Sequence, residues 1–392
     1  MSSVWSRVKT SENWVSCQIT PSLREALEKQ LGNQLESYLK ALARPAKLYF
    51  LRVNTLKTTV GKVVKSLREK GFKPKQLIEI PEAIFIEVKG PLKVPIAEKK
   101  VIVDREAAEA VLSGAHLYAP GIIEADEAEK GEKVTIYSET GVCVGTGIWR
   151  LNTREALEKR RGLAVEVTHK VFTIPSSREL PERNAGLIYP QSIPSMLASI
   201  ALNPKPGEKI LDMCCAPGGK LTHLAQLTRD KAEIIGVDRS EKRLKTTLEN
   251  LKLLGIKNVK LLREDSRYLD LKHPNWKFDK ILLDPPCSAL GYRPKLKENK
   301  TLKQILGLAD YQRQLLKVAV KLLKKNGVLT YSVCTITKEE CIENTRYAVE
   351  ALGLEIEEQP LYLGFKTKLK TQIFYPPTHE TPGFYIAKLR KP

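Results

Sequence analysis

From about Ile174 to the C-terminus, short apolar runs alternate with longer stretches of mixed polarity. The runs Lys209–Asp212, Glu233–Val237, Val259–Leu262, Phe278–Leu283 and Val328–Tyr331 are the right length for buried strands. Between them lie helical patterns, one from about Leu221 and one from Ser240 to Leu254, where Ser240 is a suitable N-cap. Strands alternating with helices predict an α/β domain built on a parallel sheet. The preceding chain is patterned differently. Residues 1–91 join a helical stretch, Ser22 to Leu42, to strand-like runs such as Tyr49–Val53. Residues 92–173 read as mostly β, with runs at Val101–Val103, Lys133–Tyr137, Val142–Trp149 and Leu163–Val167. One early helix, Arg105–Ser113, is capped by Asp104 and stopped by Gly114. Three parts are therefore expected, 1–91, 92–173 and 174–392, with a linker around Pro175, Ser176, Ser177 and Pro181.

Composition narrows the function classes. Hydrophobic residues make up 42% of the 392 residues, enough for ordinary cores. No run is long and apolar enough to span a bilayer, and Met1 to Trp14 holds no apolar stretch of signal-peptide length. A soluble, cytoplasmic, monomeric protein is expected. The net charge of +20 fits a polyanionic partner or a lysine-rich surface, and does not separate RNA from DNA or anionic lipid. Seven cysteines, an odd number at irregular spacing, argue against a disulfide framework, and the lack of a CxxC pair against zinc. No metal is expected.

The candidate chemistry lies in the last part. Strand Lys209–Asp212 runs into Cys214-Cys215-Ala216-Pro217-Gly218-Gly219-Lys220, and a helix follows. A glycine turn there lets a ligand approach the backbone. Cys214 and Leu221 stand where a Walker loop needs glycine and Ser or Thr, so a phosphate cradle is disfavoured. Asp238 ends the next strand, placed to accept bonds from ribose hydroxyls. Asp265, Asp284 and Cys334 follow later strands, and Cys287 lies three residues after Asp284. A single strand-end carboxylate is more often a turn former or cap than a ligand. Five successive strands ending in such residues point to the sheet edge where ligands bind in open parallel sheets.

Together these segments resemble the Nop/Sun class of RNA cytosine-5 methyltransferases. The resemblance rests on Asp212 to Lys220, on Asp284-Pro285-Pro286-Cys287-Ser288 and on Tyr331-Ser332-Val333-Cys334-Thr335. Arg52-Val53-Asn54-Thr55-Leu56, Tyr189-Pro190-Gln191-Ser192 with Ser195, and Gly383 to Ala387 extend it. Cys215, Val333 and Pro382 depart from the family's usual alanine, threonine and aspartate. The resemblance implies a Rossmann-like S-adenosylmethionine-dependent fold, with Cys334 as nucleophile, Cys287 in product release, Asp284 at the polar edge of the base and Lys220 in support. It implies cofactor contacts from Cys214, Cys215, Ala216, Pro217, Gly218, Gly219, Lys220, Asp238, Arg243, Asp265 and Asp284. Residues 92–173 resemble a PUA domain, an RNA-binding β-barrel, on Gly114-Ala115-His116-Leu117-Tyr118-Ala119-Pro120-Gly121.

A PUA domain between the other two parts is similar to the branch of this family that acts on tRNA. That implies as target the cytosine just before the discriminator base, position 72, and as partner the acceptor stem with its 3′ CCA end. Arg105, Gly114, Ala115, Tyr118, Arg150, Arg293, Lys295 and Lys297 are the expected RNA contacts. Three other readings remain open: a ribosomal RNA methyltransferase with the same site, a catalytically idle PUA protein, and a DNA-type enzyme whose Pro-Cys thiol attacks.

Overall fold

The structure is a computed structural model that describes residues 14–175 and 180–392. The linker residues Ser176 and Ser177, and the N-terminal stretch up to residue 13, lie outside the described residues. The five expected strands assemble in the order 259–263, 233–238, 209–212, 278–283, 323–333, all parallel. Strand Phe384–Arg390 then adds antiparallel to 323–333, and Gln372–Phe374 follows it. The order reverses between 209–212 and 278–283, which opens a crevice at their C-terminal ends. Both faces are covered. Helices Gly219–Leu227 and Glu241–Leu254 cover one face, where Leu221, Leu224, Leu244 and Leu251 pack on Ile210, Ile234 and Leu282. Helices Leu302–Leu322 and Ile342–Glu350 cover the other, with Leu315, Leu316, Ala319 and Ala348 on Leu211, Ile281 and Leu329.

The N-terminal part is helical and then β, as patterned. Gly32, at φ 54°, breaks the expected helix into Pro21–Leu31 and Leu35–Leu42, because its left-handed conformation cannot continue an α-helix. Strand Leu48–Val53 sits in a four-stranded sheet that takes Ile188–Pro190 from far along the chain. That sheet shares a core with helix Ile193–Leu202, through Leu48 and Phe50 against Met196 and Leu197. The first sheet is thus built into the methyltransferase-like part.

The middle part is a six-stranded sheet around helix Arg105–Leu112, whose cap Asp104 accepts from Ala107 N at 2.8 Å. Its core does not end at its own border. Val101, Val111 and Trp149 belong to one apolar cluster with Leu23, Leu39, Leu290 and Leu296. Leu290 and Leu296 lie on the loop after Cys287, so this loop is embedded among three parts of the molecule. Gln18–Ile19 pairs with Lys297–Glu298, Lys295 N donates to Leu42 O at 2.7 Å, and Leu296 N donates to Glu109 Oε1 at 2.9 Å.

Candidate active site

The glycine loop leaves strand Lys209–Asp212 and turns back at Gly218, φ 102°. A Cβ there would stand 3.0 Å from Thr247 Cγ2, so both the turn and the packing call for glycine. Arg52, fully buried, secures the far side of the turn. It donates to Gly219 O at 2.8 Å, to Thr222 Oγ1 at 2.7 Å and to Gln191 Oε1 at 2.6 Å. Burial pulls its guanidinium down to about 10, still cationic at neutral pH. Asn54 donates to Leu254 O at 2.9 Å and Lys57 to Leu253 O at 2.6 Å, both near the end of the next helix. The N-terminal signature thus acts as a brace for the loop. Its place in the sequence was evident, and its contacts 167 residues away were not.

Two carboxylates and an amine come together over the crevice. Lys220 Nζ lies 2.7 Å from Asp284 Oδ2, and Ser332 Oγ donates to Asp284 Oδ1 at 2.7 Å. Burial works to lower Lys220, but attraction to Asp284 outweighs it and the ammonium is held above its usual range. Asp212, at the base of the same cleft, is pushed up to about 7 by burial and by the like charge of Asp284. It accepts from Cys214 N at 3.3 Å.

Cys287 and Cys334 meet beside this group, sulfur to sulfur at 3.0 Å. The two thiols are not equivalent. Cys334 is lowered, chiefly by a hydrogen bond from Cys287, while Cys287 is raised by the same bond and by burial. The contact and the nearby Lys220 ammonium favour negative charge on Cys334 over Cys287. Cys334 O accepts from Gly291 N at 2.9 Å, fixing the strand end against the loop. Sequence reasoning missed the polar group beneath them. Glu340, Gln312, Thr335 and Thr337 are fully or almost fully buried and interlinked.

A second hollow opens at the ends of strands 209–212 and 233–238, lined by Cys214, Asp238, Asp265, Ser266, Pro286 and Tyr311, with Met213 and Arg243. Asp238 Oδ1 accepts from Ser240 N at 2.9 Å. Arg243 pairs with Asp238 at 3.3 Å and donates to Ala216 O, and Asn250 donates to Pro217 O at 2.9 Å. Asp265 pairs with Arg267 at 2.6 Å, which holds its carboxyl below its usual value. The Asp238 carboxylate as an acceptor for hydroxyls, with Pro286 and Tyr311 along the hollow, fits an adenosyl group. Cys215 enters differently from expectation: its side chain is buried in the core against Leu221 and Gly236, so only its backbone belongs to the loop.

Two expected RNA contacts need correction. Arg293 and Lys295 are each 6% exposed. Arg293 donates to Arg44 O and Pro45 O and pairs with Glu380 at 3.3 Å; Lys295 pairs with Glu298 at 2.6 Å. Each of these buried cations is already paired with a carboxylate, so neither is an open phosphate contact. Lys297 stays partly exposed and pairs with Glu139, Arg150 with Glu166, and Arg105 with Glu106. Gly114, Ala115 and Tyr118 line a groove along helix Arg105–Leu112, with Asp104, Ala107 and His116. Tyr118 is exposed there.

The sheet order, the glycine loop and the crevice together define a Rossmann-like S-adenosylmethionine-dependent methyltransferase carrying an appended RNA-binding barrel. Residues 199–390 match the model of the 16S rRNA methyltransferase RsmB/F family, 99–171 that of the PUA domain, and 22–93 that of the ferredoxin-like domain found with RsmF/B-like enzymes. A tRNA (cytosine(72)-C(5))-methyltransferase of Pyrococcus horikoshii is 44% identical over 94% of this chain and 96% of its own. The human tRNA (cytosine(72)-C(5))-methyltransferase NSUN6 is 34% identical over 86% of this chain and 80% of its own. The solved structure of NSun6 from Pyrococcus horikoshii with SFG aligns at a TM-score of 0.88 and 43% identity, covering 95% of this chain and 98% of that one. The chain belongs to this family of RNA cytosine-C5 methyltransferases.

Proposed function

We propose that this protein methylates carbon 5 of cytosine 72 in tRNA, at the end of the acceptor stem beside the discriminator base. The observation that carries the reaction is the thiol pair, Cys287 and Cys334 with sulfurs 3.0 Å apart, next to the Lys220–Asp284 pair. Carbon 5 of cytosine is a poor nucleophile; addition of the Cys334 thiolate to carbon 6 makes it an enamine carbon. Lys220 and Asp284 would face the polar edge of the ring, the ammonium stabilising the negative charge that develops near N3 and the carboxylate accepting from the amino group. The loop from Cys214 to Gly219 with Asp238 and Asp265 would hold S-adenosylmethionine, which when bound would supply the methyl group to the enamine carbon and leave as the thioether. The carbon 5 proton then leaves to a water beside Cys287, and the bond from Cys334 to carbon 6 breaks with its electron pair returning to sulfur. The target must leave its stack, and a pair at a helix end costs least to open.

The tRNA target is supported by the names of the relatives that match almost the whole chain and by the appended barrel. Its groove beside Gly114 and Tyr118 suits an unpaired 3′ CCA end, and no helix among the described residues is long and apolar enough to cross a membrane. The test is labelling of total tRNA and of ribosomal RNA fragments with methyl-labelled S-adenosylmethionine, mapped to the nucleotide. Label at cytosine 72 is the expected result; label confined to ribosomal RNA overturns the reading.

A further inference from the structure

The Glu340 side chain is fully buried, and no cation lies within ion-pair distance of it among the described residues. A bare carboxylate in that setting is costly unless its oxygens are saturated. They are. Oε1 accepts from Ser288 N at 2.8 Å and from Gln312 Nε2 at 2.9 Å, and Oε2 accepts from Thr337 Oγ1 at 2.9 Å. The donors come from three places. Ser288 follows Cys287, Thr337 lies three residues after Cys334, and Gln312 stands on helix Leu302–Leu322. Gln312 Nε2 also donates to Pro286 O at 3.0 Å, just before Cys287. Ser288 Oγ donates to Thr335 Oγ1 at 2.8 Å, tying the same two loops again. The backbone carbonyl of Glu340 accepts from Tyr331 OH at 2.6 Å, so the residue is held by the strand that delivers Cys334.

We propose that Glu340 is a positioning residue for both half-reactions: its carboxylate tethers the Cys287 loop to the Cys334 loop and sets the 3.0 Å separation of the two sulfurs. Neither oxygen touches a thiol; Glu340 acts through Ser288 and Thr337. This rests on the covalent mechanism proposed above but not on the identity of the RNA.

The tether hypothesis can be told apart from a purely electrostatic one. Four groups act on the Cys334 thiol: Cys287, whose hydrogen bond is the largest and lowers it, then Asp284, Lys220 and Glu340. Glu340 acts by charge too, in the raising direction, but as the smallest of these. Breaking the tether therefore raises the thiol, whereas removing only the charge lowers it slightly. Glu340→Gln keeps an acceptor for Ser288 and Gln312 and donates to a turned Thr337 hydroxyl, so it preserves the tether without the charge. Glu340→Ala removes both. Thr337→Val removes one anchor while keeping the volume, and serves if the alanine variant does not fold.

The experiment measures alkylation of Cys334 by iodoacetamide against pH in the full-length protein, read on its own peptide by mass spectrometry. Single-turnover methylation and the KM for RNA are measured in parallel. Expected is an upward shift of the alkylation midpoint in Glu340→Ala and Thr337→Val, with kcat down by about tenfold to a hundredfold, the scale of a misplaced reacting group, while KM stays within about threefold. Glu340→Gln is expected to retain near wild-type kcat, with a midpoint unchanged or slightly lower. A midpoint that is unmoved or falls in Thr337→Val, or a Glu340→Gln variant as impaired as Glu340→Ala, overturns the tether. The alkylation arm uses no RNA, so an error in the proposed substrate leaves it intact.

Discussion

The segments Asp284–Cys287 and Arg293–Lys297 belong to one loop, yet they treat charge in opposite ways. In the first, Asp284 is paired with Lys220 and still 29% exposed at its side chain, facing the crevice. In the second, Arg293 and Lys295 are buried and each is consumed by a carboxylate. The difference is one of partners. Asp284 meets a lysine and a serine that leave it open on one side, so its charge remains available to a substrate. Arg293 meets Glu380 and the carbonyls of residues 44, 45 and 376, which fill its donors from every side. A charge saturated by protein holds segments together; a charge left half-satisfied at a strand end stays open to a ligand. The segment that is most basic in sequence is thus a rivet.

Breaking the thiol pair, formed by Cys287 of the first segment with Cys334, should give the largest effect. Cys334→Ala is expected to abolish both methylation and any covalent adduct. Cys287→Ala should accumulate a protein–RNA complex that survives denaturing electrophoresis, with at most about one methyl transferred per enzyme. The reverse pattern would assign attack to Cys287. On the second segment, Arg293→Ala leaves Glu380 paired with Arg44 but strips a buried hydrogen-bond network, and should cost about 1–3 kcal/mol of stability in denaturant titration. Its salt dependence of RNA binding, measured on the folded fraction, should equal wild type; a flatter slope would return Arg293 to the RNA track.

Asp212 sharpens the comparison at intermediate size, since it is a buried carboxylate inside the reactive region. Its folded value of about 7 lies above its unfolded one, so the folded protein binds more protons between roughly pH 4 and 7 and loses stability as pH rises through that window. Asp212→Asn should therefore raise the melting temperature more at pH 8 than at pH 4, by at most about 4 kcal/mol of stability. An equal change at both pH values would mean that the carboxylate is not raised. The smallest effect is expected at the exposed end of the loop. Lys297→Ala should change stability by less than about 1 kcal/mol. If Lys297 touches a phosphate, it should reduce the slope of log affinity against log salt by about one.

The sequence carried the site wherever the chemistry is local. A strand, a turn and the residue at the strand's end lie within a few positions of one another, so Asp212, Asp238, Asp284 and Cys334 could be placed at one sheet edge from pattern alone. Gly218 was legible for the same reason: its turn is a property of four or five adjacent residues. What the sequence left open depends on partners far along the chain. Arg52 grips a loop 167 residues away, and Arg293 pairs with a glutamate 87 residues on. The strand Ile188–Pro190 leaves its neighbours in sequence to join the first sheet. The roles of the two cysteines came from resemblance, with Cys334 as nucleophile; only the fold brings their sulfurs to 3.0 Å, across 47 residues of chain. Local backbone preference and periodicity are written in adjacent residues, whereas burial and the satisfaction of a charge are decided only when distant segments pack.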